Sequence, residues 1–327
     1  MAGLLGRSPA KGKTSIVVAA IITVLCILPF VLRTYHLEIM TILLIDTILA
    51  VSFAMIAITG EFSLAHRVMM GVGAYTSAIL TTDLGFPFWA ALPLGGVVAA
   101  LIGRGISYPL VRMTGFAFFI GSYAAGEAIR LCWVRFRFPF GGVRGMINLP
   151  SPSIGSFAFG GYVPYYFMTM GIMLVCPFVM YRIYYSRIGD TFKAIHSDPS
   201  VAESTGIDIV RYRNLAFVIG CFFAGIAGVL LAHKTGAIDP YNFALTDMLY
   251  LLVWVVVGGI NTFWGPIIGT GAMTAVYEGS RFLAEWRPLL FGFILILSLI
   301  FNPRGIDGLF PKIKAFFQRM RGEEKQG

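Results

Sequence analysis

Apolar residues along this chain fall into long runs, and the polar residues collect in short breaks between them. An α-helix needs about 20 apolar residues to cross a bilayer. On that scale the pattern predicts ten spans, at about 16–32, 39–58, 63–82, 88–111, 116–135, 165–184, 212–232, 245–260, 265–283 and 288–302. The largest break, 182–213, is a polar and basic island carrying Arg182, Arg187, Lys193, Arg211 and Arg213. Inside it, Ser197-Asp198-Pro199 has the form of a helix N-cap followed by proline at the first helical position, and Gly206 has the form of a stop. Phe192, Ile195 and Ala202 make an apolar stripe flanked by Lys193, His196, Asp198 and Glu203. A short amphipathic helix with that pattern either docks on a partner or lies on a membrane surface.

Two stretches depart from simple spans. Thr59-Gly60-Glu61 runs into Ser63, His66 and Arg67 ahead of Gly71 and Gly73, so the third span opens on polar residues. A broken or re-entrant helix is expected there, since irregular backbone at membrane depth survives only against protein or a water-filled cavity. The second stretch, 136–164, is rich in Gly and Pro and contains Gly141-Gly142-Val143-Arg144-Gly145. It is expected to be an ordered loop on the outer side.

Composition supports this picture. The 327 residues are 57% apolar and 13% charged, with a mean hydropathy of +0.79, against roughly 25% charged in soluble domains. The fold class is therefore all-α, a polytopic transmembrane helix bundle of about ten spans. A β-barrel would instead show alternating segments of about 10 residues. The net charge of +9 is distributed in short loops and at both ends, which argues for membrane topology and against nucleic acid. With the N-terminus inside, sixteen Lys and Arg fall on the cytoplasmic side and seven on the other, so both termini are expected in the cytoplasm. The expected domains are a cytoplasmic segment 1–15, a transmembrane domain 16–302 and a cytoplasmic tail 303–327. The basic start followed by 16–32 lacks a small-residue cleavage site and is expected to be an uncleaved first span.

The motifs that carry chemistry are few. Gly12-Lys13-Thr14 imitates the end of a phosphate-binding loop, but Arg7 stands where its first glycine is needed, so any ATP dependence must come from another chain. Cys26, Cys132, Cys176 and Cys221 have no metal or redox spacing, and no metal site or catalytic set is expected. Two small-residue lines, Gly220/Ala224/Gly228 and Gly265/Gly269, suit close helix packing within the chain or at a subunit interface. The ionisable residues Asp46, Glu61, His66, Arg67, Glu127 and Arg130 are costly in hydrocarbon and should face the bundle interior or a cavity. Glu127 and Arg130, at i and i+3, share a helix face and can pair. Glu61, Ser63, His66, Glu127 and Arg130 are the candidate pathway residues. A self-contained secondary transporter using Glu61, Glu127 and Asp46 as a proton relay stays open on these residues.

A set of ordered motifs resembles one family. Ser186-Arg187-Ile188-Gly189, Lys193-Ala194-Ile195 and Ala202-Glu203-Ser204-Thr205-Gly206-Ile207 resemble the cytoplasmic loop of LivM-type permeases of branched-chain amino acid ABC transporters. Thr59-Gly60-Glu61-Phe62-Ser63-Leu64-Ala65-His66, Gly126-Glu127-Ala128-Ile129-Arg130-Leu131 and Gly258-Gly259-Ile260-Asn261-Thr262-Phe263-Trp264-Gly265-Pro266 continue the likeness, which covers roughly 40–310. The resemblance implies a permease subunit in the bacterial inner membrane, binding no cofactor itself. Its implied partners are a second, homologous permease, two ATPase subunits carrying ATP and Mg, an extracytoplasmic binding protein and a small polar solute. It further implies that the loop at about 186–211 is a coupling helix seated on an ATPase, with Lys193, Ala194, Ile195, Asp198, Ala202, Glu203 and Gly206 transmitting its motion. The chain departs from the family pattern at Glu61, Ala65, Asp190 and His196, where Gln, Gly, a basic residue and Arg are usual. Branched-chain or other amino acids are the implied substrates, with urea, amides and aromatic acids as alternatives within the same family.

Overall fold

A computed structural model describes residues 23–301 apart from 24, 31 and 156. The segments expected at 1–15 and 303–327 lie outside the described residues. Of the first expected span, Thr23 and residues 25–30 are helical. The other nine expected spans each coincide with a helix: α1 (Thr34–Ala57), α2 (His66–Thr82), α3 (Phe88–Leu110), α4 (Phe116–Arg135), α5 (Tyr162–Tyr184), α8 (Ile209–Thr235), α9 (Leu245–Gly258), α10 (Gly265–Gly279) and α11 (Arg287–Phe301). Two further helices, α6 (Arg187–Ser197) and α7 (Pro199–Ser204), lie in the polar island.

Four of these, α1, α3, α5 and α8, are long and apolar enough to cross a membrane by length and composition. Helices α9 and α10, with 14 and 15 residues, reach only about 21–23 Å at 1.5 Å per residue. That falls short of the roughly 30 Å hydrocarbon core, so each spans only part of it by itself. They instead pack on each other. Gly258 and Gly269 make this approach possible, because a Cβ on Gly269 would lie 2.2 Å from the Trp254 carbonyl oxygen.

The centre of the bundle is α8, which packs on α1, α2 and α3. In both α1 and α8, 72% of the apolar window is buried, against 33% in α3, which packs on that centre through one face. Small residues set the helix spacing. A Cβ on Gly228 would fall 1.8 Å from the Met70 carbonyl oxygen of α2, and one on Gly220 would press on Ile56 of α1. Both small-residue lines are thus used for packing within the chain, and van der Waals contact takes the place of a hydrophobic driving force.

The stretch expected to be an ordered loop carries three of the four short strands among the described residues. Strand β1 (Met146–Ile147) pairs antiparallel with β4 (Ala237–Ile238) after α8, and β2 (Ser153–Ile154) pairs with β3 (Phe157–Ala158). Gly141 and Gly145 both take positive φ at the turn leading into β1. This loop and the α6–α7 island flank opposite ends of α5.

Candidate functional site

The break between α1 and α2 is irregular, as expected, and it is buried. Thr59 is 1% exposed and Glu61 4%, so the segment 58–65 is enclosed by protein, the setting in which non-helical backbone is tolerated. Some of its polar groups find partners in the surrounding protein. The Thr59 hydroxyl donates to the Ile56 carbonyl at 2.8 Å, and the Leu64 N–H donates to Ser122 Oγ of α4 at 2.9 Å. Gly60 takes φ +89°, a conformation suited to glycine.

The island folds against this break. Asp198 caps α7 by accepting from the Ser200 and Val201 N–H groups at 2.9 and 3.1 Å, with Pro199 at the first turn. Gly206, at φ +86°, follows the end of α7. Phe192, Ile195 and Ala202, the expected stripe, are all buried and hold the island on the bundle. Lys193 lies 4.2 Å from the Tyr184 ring centroid and donates to the Tyr184 carbonyl at 3.1 Å. Ala194, Asp198, Glu203 and Gly206 are exposed. The seven candidate loop residues therefore divide: Ile195 and Ala202 face the bundle, Lys193 lies along its edge, and the other four face outward.

Two contacts join island and break. Gly60 sits against His196, so closely that a Cβ on Gly60 would fall 2.9 Å from Nδ1. Glu61 Oε1 lies 3.2 Å from Arg213 Nη1 in α8, with side chains only 4% and 9% exposed. Burial pushes the Glu61 carboxyl above its ordinary value, and the Arg213 guanidinium opposes that rise. A cavity of about 750 Å³ lies at this junction, lined by Glu61, Arg112, His196, Glu203 and Arg213 among others. Arg213 and Arg112 were not among the site residues expected from sequence; the partner of Arg213, Glu61, lies far away along the chain, whereas Arg112 contacts Tyr108 one helical turn before it.

The remaining pathway candidates do not gather here. His66 is fully buried, with Nε2 2.8 Å from Ser52 Oγ and its ring beside Phe53. Ser63 is buried as well. Glu127 and Arg130 do pair, as their spacing allows, through Arg130 Nε at 2.9 Å and a second contact from Nη2. Arg130 also lies 5.7 Å from the Tyr241 ring centroid, and Glu127 lines a separate, small cavity with Tyr123 and Met248.

Each carboxylate of the conceivable proton relay has its own arginine: Glu61 with Arg213, Glu127 with Arg130, and Asp46 with Arg67 at 3.4 Å. Carboxylates fixed in separate ion pairs form no continuous chain of exchangeable sites, so the geometry favours structural pairing over a relay. Among the described residues no group of His, Cys, Asp and Glu could hold a metal ion.

The family described as the permease component of the branched-chain amino acid transport system matches residues 35–299. The chain is 26% identical to the high-affinity branched-chain amino acid transport system permease protein LivM of Salmonella typhimurium, covering 95% of this chain and 79% of the relative. It is 25% identical to LivM of Escherichia coli over the same shares. A shorter match, 37% identical over 38% of this chain and 41% of the relative, is to the permease protein LivH of Salmonella typhimurium. No solved structure matches the chain.

Proposed function

The chain belongs to the permease-component family of the branched-chain amino acid transport system, and on that premise we propose that it carries branched-chain amino acids through the bacterial inner membrane as one subunit of an ATP-driven importer. The full-length likeness to LivM supports this reading most directly. In this reading a second, homologous permease, two ATPases holding ATP and Mg, and an extracytoplasmic binding protein complete the assembly. The island faces the cytoplasm, as do both termini of a bundle of about ten spans.

The mechanism follows from how α6 and α7 are attached. The outward residues Ala194, Asp198 and Glu203 meet an ATPase, while Ile195 and Ala202 tie the same two helices to the bundle. When the ATPases close on nucleotide, differential binding of the closed form shifts the permease between two arrangements. The shift passes through the His196–Gly60 seat to the α1–α2 break and through Arg213–Glu61 to α8. Since α8 packs on α1, α2 and α3, a displacement at its island end reaches the centre of the bundle.

Reconstitution tests the assignment. With the second permease, the ATPases and a leucine-binding protein, proteoliposomes should accumulate labelled leucine on addition of ATP, and should continue to do so when ionophores collapse all ion gradients. Uptake that vanishes with the gradients while ATP remains would show ion coupling instead. Uptake of urea or an amide in preference to leucine would move the substrate assignment within the family.

A further inference from the structure

The cavity of about 750 Å³ beneath the island is of a size that holds small organic ligands, whose sites usually occupy about 300–1,000 Å³. Its polar lining carries both signs. Arg112 and Arg213 offer guanidinium donors, and Glu61 and Glu203 offer carboxylate acceptors. Between them Val111, Ile195, Ile209 and Val210 supply an apolar wall. Glu61 and Arg213 are each more than nine-tenths buried and pair with each other at 3.2 Å, while Arg112 and Glu203 are exposed.

We propose that this cavity binds the transported amino acid as a zwitterion from the island side, and that its occupancy holds the transporter back when product accumulates there. The inference rests on the function proposed above. The α-carboxylate pairs with Arg112, on the side of the lining where Arg213 adds positive charge, since planar guanidinium groups suit bidentate carboxylate recognition. The α-ammonium lies toward the acidic side of the lining, at Glu203 and the buried Glu61, and an aliphatic side chain lies on Val111, Ile209 and Val210. The mixed lining opposes the other simple ligand classes: two carboxylates repel a phosphate, and two arginines repel a bare cation. A bound amino acid lies between α6–α7 and the 59–61 segment, where the loop must move for ATPase closure to reach the bundle. Occupancy therefore favours the arrangement with the loop standing off, as population shift requires of a ligand with differential affinity.

Equilibrium binding of labelled leucine to the assembled transporter in nanodiscs, without the binding protein, tests the site. Saturable binding is expected, with N-acetyl-leucine, which lacks the ammonium, failing to compete. Arg112 is exposed, so Arg112→Ala should leave the fold intact while weakening binding by about tenfold or more, the effect of losing a charge-assisted contact. Arg104→Ala, a change of an exposed arginine outside the cavity, should bind as the wild type does. In proteoliposomes, leucine preloaded on the island side should slow ATP hydrolysis, and Arg112→Ala should require about tenfold more leucine for the same slowing. Equal competition by N-acetyl-leucine, or binding and slowing unchanged by Arg112→Ala, would overturn the inference. Absence of ATP-driven leucine uptake from empty proteoliposomes would instead overturn the proposed function, and binding read in nanodiscs would still decide the site.

Discussion

Glu61 and Arg213 illustrate how a costly residue can be read from sequence while its purpose cannot. The expense of a carboxylate beside a membrane span is visible in the residue pattern and marks Glu61 as a site of interest. Its partner is not visible, because Arg213 reads as one basic residue at the edge of a charged island, and only the docking of α8 on α1 brings the two within 3.2 Å. Removing one member of a buried pair strands the other charge, at a cost of about 3–5 kcal/mol, whereas replacing both by apolar residues of similar volume is often neutral. Glu61→Gln should therefore lower the thermal unfolding temperature of the purified protein markedly, and Glu61→Leu combined with Arg213→Met should restore most of it. A single variant that unfolds at the wild-type temperature would show that the pair is not a structural tie. Glu127 and Arg130 differ in this respect. Their i, i+3 spacing made the pairing legible at once, since a helix brings such positions together without any tertiary fold.

At the scale of elements, local signals were the legible ones. The Asp198-Pro199 cap and the Gly206 stop bracket α7 as expected, because capping depends on residues within one turn of each other. The apolar stripe of Phe192, Ile195 and Ala202 correctly gave the buried face of the island. What hydropathy did not convey was length and enclosure. Helices α9 and α10 are mostly apolar yet too short to cross a bilayer by themselves, and a window of apolar residues does not separate a full span from a buried half-length helix. The small-residue lines were equally ambiguous until Gly228 was found against Met70 and Gly269 against Trp254, since small residues serve any close helix contact. A prediction belongs to α7 itself. Asp198→Ala removes the acceptor for two N–H groups and should cost about 0.5–2 kcal/mol of local helix stability. Amide hydrogen exchange across 199–206 should accelerate about twofold to thirtyfold, while the exchange of α8 stays unchanged. Asp198→Ser should recover most of the protection. Exchange in α7 that ignores the alanine change would mean that packing through Ala202, and not the cap, holds this helix.

For the molecule as a whole, the arrangement separates a stiff centre from a movable attachment. Helices α1, α2, α3 and α8 meet through glycines and alanines so closely that a single added methyl group at Gly73 or Gly228 would strike backbone. Packed interiors of that kind switch between arrangements and do not deform gradually. The island, by contrast, is held by a short apolar stripe, one glycine–histidine seat and one ion pair, with a cavity beneath it. A partner that grips the exposed side of α6 and α7 can thus tilt the island and load the rigid centre through Gly60 and Arg213. Glu203 is the most direct point at which to test that division, since it is exposed, at the rim of the cavity. Like-charge juxtaposition at an interface costs several kcal/mol and excludes the wrong partner. Glu203→Arg should consequently abolish capture of the ATPase subunits in a pull-down and reduce ATP-driven uptake to background. Expression, membrane insertion and the unfolding temperature should match those of the unaltered chain. A conservative Glu203→Asp change should retain capture. If Glu203→Arg still captures the ATPases and supports normal uptake, the ATPase does not read this face of the island, and the route from nucleotide to helix bundle runs through another surface.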